Sequence, residues 1–183
     1  GICNRIICYF DPNLFKLLNQ YIKLRNEKRQ VLLSSQDLSW LNSIDIQLII
    51  VCKKIIEIKH QFMIFFNEYL TKNKNLFFEY KIDYDFKDIS TENFLNDFES
   101  EMKKESESRG EYSFKSQYDP LKNVFSLTYM DSQIDQLSSA QSKLLILSFL
   151  LDAAKFLNLK KNKITIFLID EIFELKLSIF GTS

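Results

Sequence analysis

The sequence predicts an α/β fold with a helical insertion, on two observations. Apolar positions recur at three- and four-residue steps from residue 14 to residue 65, the spacing of helices, and then alternate with charged residues from Phe77, the spacing of a half-buried strand. Further on, an apolar helical stretch over 138–157 leads into residues 164–169, apolar on both faces, as in the central strand of a covered sheet. The expected order is helix pair, strand, helix, strand pair, helix, strand.

Composition supports a folded, unsecreted chain. Of 183 residues, 46% are hydrophobic and 14% aromatic, enough for a core. Lysine plus arginine and aspartate plus glutamate each number 24, so no global basic field announces a nucleic acid. Cys3, Cys8 and Cys52 are odd in number and lack C-x-x-C spacing, which argues against a disulfide framework or zinc site and for a reducing cytoplasm. No run has the ~18 apolar residues of a membrane span, and the first residues have no secretory pattern. Starting at Gly1 rather than Met, the chain is expected to be part of a longer one.

Each element has its own signal. Asp11-Pro12 starts a helix, with Leu14, Leu17, Leu18, Tyr21 and Leu24 at helical spacing and the polar stretch RNEKRQ at its end. A turn over 34–37 leads into a longer helix. There Leu41, Ile44, Leu48, Val51, Ile55, Ile58, Phe62 and Phe65 form a seam of about four heptads. That seam fits a projecting helical arm or an ordinary bundle core equally well. FFEYKIDYDF reads as a strand near 77–86, and residues 91–108 as a charged helix with a solvated face. Asp119-Pro120 separates two strand-like runs within 111–130, and SSAQSKLLILSFLLDAAKFL is a helix capped by serine.

Two places could carry chemistry. Asp170 and Glu171 end the strand at 164–169, the edge where a covered sheet presents a ligand crevice; acids there hold Mg²⁺ or polarise water, or else cap the next helix. Ser138, at the start of the apolar helix, is either an N-cap or part of an anion site made with the unpaired backbone N–H groups. His60 sits beside the seam with no nucleophile or acid assigned to it, and reads as structural.

The serine-rich helix start, the helix, the short loop and IFLIDEIFEL follow the order of the signature segment and Walker B strand of an ABC-type ATPase head. With NRIICYFDPNLFKLLNQYIKLRN and SWLNSIDIQLIIVCKKI upstream, bringing Asp11-Pro12, Arg25-Asn26 and Trp40-Leu41 in sequence, the chain resembles the RecF family of bacterial DNA replication and repair proteins over residues 4–175. The resemblance implies the C-terminal part of an ABC-ATPase head of the P-loop NTPase kind with an inserted α-helical, coiled-coil-like lobe. Residues 1–10 would end a head segment, 11–108 would form the lobe, and 109–183 would be the head part. It implies ATP-dependent DNA binding in DNA replication, recombinational repair and the SOS response, in a bacterial cytoplasm. ATP and Mg²⁺ would be cofactors: Asp170 assists the metal, Glu171 positions or activates the hydrolytic water, and Ser138, Ser139, Ala140 and Gln141 face the nucleotide of a partner across an ATP-dependent homodimer. Double-stranded DNA, single-strand gaps, RecO and RecR would be its partners.

The sequence departs from the family at Ala140, where the signature has glycine, and at Ser142, where it has glutamine; SQYDPL stands where the family has a G-P-H-R-D-D-L segment. No G-x-x-x-x-G-K-[ST] phosphate loop is present, the only glycines being Gly1, Gly110 and Gly181. Two other readings therefore stand beside the first: a degenerate, non-catalytic helical interaction module, and part of a RecN- or SMC-like ATPase.

Overall fold

The computed structural model describes residues 2–34, 38–73, 80–84, 91–108, 119–121, 125–129 and 132–161. They form helices α1 (Ile2–Phe10), α2 (Asn13–Ser34), α3 (Leu38–Lys72), α4 (Thr91–Glu107) and α5 (Ser139–Lys161), with strands β1 (Tyr80–Tyr84), β2 (Phe125–Tyr129) and β3 (Ser132–Gln133). A 3-10 turn, Ile134–Gln136, links β3 to α5. The chain divides into two compact units. One draws its described residues from Gly1–Asp11, His60–Lys87 and Asn123–Ser183, and the other from Pro12–Lys59 and Asp88–Lys122.

The unit formed by Pro12–Lys59 and Asp88–Lys122 is helical. The Asp11 N–H donates to the Ile7 carbonyl at 2.8 Å and closes α1; Pro12, which has no N–H to satisfy, comes just before α2. Its core combines Leu14, Leu18, Tyr21, Leu24 and Val31 of α2, Leu41, Ile44, Leu48, Val51 and Ile55 of α3, and Phe98 and Met102 of α4, all buried. The heptad seam of α3 is thus core rather than a projecting arm over these positions, and each such side chain contributes about 1.5–3 kcal/mol by leaving water.

The other unit packs α1, the C-terminal part of α3 from His60 and α5 with the sheet. Its centre is aromatic: the Phe66 ring stands 5.3 Å from Phe156, 5.4 Å from Phe62 and 5.9 Å from Phe149, and Phe10 stacks on Phe156 at 6.0 Å. Edge and offset contacts of this kind add about 0.5–1.5 kcal/mol per pair beyond area burial. The sheet has the order β1-β2-β3 and is antiparallel throughout. Tyr80 pairs with Tyr129 and Tyr84 with Phe125, which places Tyr80, Ile82 and Leu127 in the core.

This architecture overturns the expected fold class. An α/β head of the P-loop kind, the C-terminal part of an ABC ATPase, rests on a parallel sheet wrapped by crossover helices. Here five helices dominate, and every strand pair among the described residues is antiparallel. The physical reason lies in α4. It follows β1 as a crossover helix would, but it packs into the other compact unit, so β2 returns against β1 in the opposite direction. The strand expected at 164–169 lies outside the described residues.

Candidate functional site

Ser138 and Gln141 are brought together at the start of α5, where they close on each other. The Ser138 N–H donates to Gln141 Oε1 at 3.0 Å, and the Gln141 N–H donates to Ser138 Oγ at 3.3 Å. This is a reciprocal capping box, built from a serine and a glutamine three residues later. Ser139 and Ala140 are exposed in the same turn, while the buried Ser142 hydroxyl lies 3.1 Å from the carbonyls of Ser138 and Ile134. Asp170 and Glu171 lie outside the described residues, so the structure does not bring them to these four. No group of three or more metal-ligating side chains occurs among the described residues.

The strongest concentration of charge is one that the residue pattern does not announce. In the α2, α3 and α4 unit, Lys28 is completely buried, with Nζ 2.7 Å from Asp45 Oδ1 and 3.1 Å from Glu105 Oε2, and it donates to the Met102 carbonyl at 2.9 Å. The Asp45 contact is an ion pair, without the alignment of a hydrogen bond at Oδ1. Arg25 grips Glu105 with both terminal nitrogens, at 2.7 and 3.0 Å, and Ser106 donates to Asp45 Oδ2 at 2.8 Å. Burial alone would raise the Glu105 pKa, but the hydrogen bonds and charges of Arg25 and Lys28 outweigh it and hold the carboxyl below its ordinary 4.5. Two cations and two anions cancel within the cluster, which makes it a structural network joining three helices rather than a reactive one.

Near this network, Lys59 Nζ donates to the Pro120 carbonyl at 2.6 Å, both buried, and the Asp119 carboxylate accepts from the Leu121 N–H at 2.9 Å to shape the turn. The Cys52 thiol is buried, and desolvation pushes its pKa up, which makes it a poor nucleophile. In the other unit, the Tyr80 hydroxyl donates to Asp152 Oδ2 at 3.0 Å. Burial raises the Asp152 pKa above its ordinary 3.8, although the Tyr80 hydrogen bond and the Lys155 charge oppose the shift.

Some large apolar side chains also remain outward. On α2, Phe15 is 61% exposed, Ile22 41% and Leu33 80%. At ~100° per residue these three lie within about 20° of one another around the helix axis, over a length of about 27 Å. Scattered exposed hydrophobes are ordinary; these three share one side of the helix, with the exposed Asn19, Asn26 and Arg29 between them. Their signal is in the sequence at 15, 22 and 33, one or two residues past the buried positions 14, 21 and 31, whose stronger periodicity hides it. On α3, Ile46 and Ile50 are also exposed, one turn apart.

Comparison with protein-family models, curated proteins and solved structures finds no match. No helix among the described residues is long and apolar enough to cross a membrane.

Proposed function

We propose that this chain is a non-catalytic helical interaction module, which docks a partner protein on the outer face of its α2 unit. One observation carries this reading: among the described residues, the line of Phe15, Ile22 and Leu33 stays exposed beside the filled core of the α2 unit. The polar groups support it as well, because the buried charges neutralise one another and the Ser138–Gln141 pair is engaged in capping its own helix. The ATP- and Mg²⁺-dependent DNA activity that the RecF resemblance implies depends on a head fold that these helices do not build, and on Asp170 and Glu171, which lie outside the described residues. The compartment proposed is a bacterial cytoplasm, in line with three cysteines of unpaired spacing.

The test is capture by crosslinking in the source cells, with the chain and its Phe15→Ser/Ile22→Ser/Leu33→Ser variant as baits. The expected result is a protein crosslinked to the wild-type chain and lost from the variant. Identical captures by the two baits, or micromolar ATP binding by the chain in calorimetry, would overturn the module reading.

A further inference from the structure

The outward face of α2 is more specific than an apolar patch. Phe15, Asn19, Ile22, Asn26, Arg29 and Leu33 are all exposed and follow one another at steps of four, three, four, three and four residues. This is the spacing at which one helix meets another along a seam. The buried set, Leu14, Leu18, Tyr21, Leu24, Lys28 and Val31, runs one or two residues behind it, so α2 carries two seams about 130° apart, one filled from within its unit and one exposed.

The side chains of the open seam select its occupant. Asn19 and Asn26 sit where interior asparagines fix helix register by pairing with polar partners. Lys16 and Lys23 each follow an apolar seam position, Arg29 lies in the seam itself, and the one acidic residue of α2, the half-buried Glu27, is taken up by the Trp40 Nε1–H, which donates to it at 3.3 Å. We propose that this face receives a single acidic amphipathic helix of another protein, with aliphatic residues opposite Phe15, Ile22 and Leu33 and glutamates or aspartates opposite Lys16, Lys23 and Arg29. The proposal rests on the interaction-module reading and names the chemistry of the partner.

Charge decides against a second copy of the chain. A parallel pair sets Arg29 against Arg29, an antiparallel pair aligns the lysine rows, and like charges opposed in this way destabilise the pairing. A membrane surface would call for a continuous apolar face, which Asn19, Asn26 and Arg29 interrupt. Nucleic acid would use the cations but leave Phe15, Ile22 and Leu33 without a role.

The experiment uses the whole chain and a fluorescent synthetic helix of about four heptads, with an Ile/Leu seam, asparagine at two seam positions and glutamate on both flanks. A second peptide has lysine on the flanks, and a duplex DNA of similar length is the third probe. The expected anisotropy result is micromolar binding of the glutamate peptide and binding weaker by about tenfold or more for the lysine peptide. Lys16→Glu/Lys23→Glu should reverse that preference, and Ile22→Ser/Leu33→Ser should weaken the glutamate peptide by about tenfold or more while leaving the melting curve in place, since both side chains are exposed. Equal binding of both peptides, indifference to these variants, or DNA binding through Lys16 and Lys23 with no peptide binding would each overturn the proposal. Failure of the peptide with partner capture still lost in the triple-serine variant removes only the acidic helix; failure of both removes the module itself.

Discussion

Two carboxylates with opposite shifts give the chain a pH dependence that can be worked out residue by residue. Glu105 is held below its ordinary 4.5, so its stabilising contribution is complete above 4.5 and is lost as pH falls through the lower, folded value. Asp152 runs the other way: its folded pKa lies above 3.8, so its contribution is complete below 3.8 and is lost as pH rises through the folded value. At neutral pH the ionised Asp152 is therefore a cost. Asp152→Asn keeps an oxygen to accept from Tyr80, and is expected to raise the thermal midpoint at pH 7, with the gain closing as pH falls through the raised folded value and gone below 3.8. Calorimetric melts across pH 3–7 check this; a pH-independent difference would contradict it. Lys28→Ala strips the neutral cluster of a buried cation, and urea unfolding should show a loss of about 3–5 kcal/mol. None of these roles was legible in the sequence, where RNEKRQ reads as the solvated end of a helix. Lys28 continues the buried spacing of Leu14, Leu18 and Tyr21, but burial of a lysine is credible only once Asp45 and Glu105, 17 and 77 positions away, are seen beside it.

At the scale of elements, α5 tests the meaning of its serine-rich start. Ser138→Ala breaks one arm of the capping box and is expected to cost about 1 kcal/mol in thermal or urea unfolding, with Ser139→Ala nearly silent because no cap hydrogen bond depends on it. Equal losses for the two would show that the cap is not what Ser138 provides. The helices themselves were largely readable: repeated three- and four-residue steps place α2 and α3, a charged stretch places α4, and continuous apolarity places α5. β1 was equally visible, as alternation in YKIDY. The pairing of the strands was not, because local periodicity says nothing about whether the helix between two strands packs on their sheet. Once α4 packs elsewhere, the rule that links strand, helix and strand into a parallel pair has no purchase. The open seam on α2 was missed for a related reason: a helix with two apolar faces presents only the stronger one to a search for a single stripe.

On the scale of the whole molecule, the two compact units are interleaved along the chain, since Pro12–Lys59 and Asp88–Lys122 lie between the segments of the other unit. α1 completes its core with α5, through Phe10 on Phe156 and the buried Cys3, Ile6 and Ile7. During synthesis on a ribosome this imposes an order. The helices of the α2 unit have all been made once Lys122 has been added, but α1, made before them, must wait for α5. At about 5–20 residues per second, the ~40 residues from Lys122 to Lys161 take roughly 2–8 s. For that interval α1 is an apolar strip without its α5 partner, a segment for a chaperone to hold.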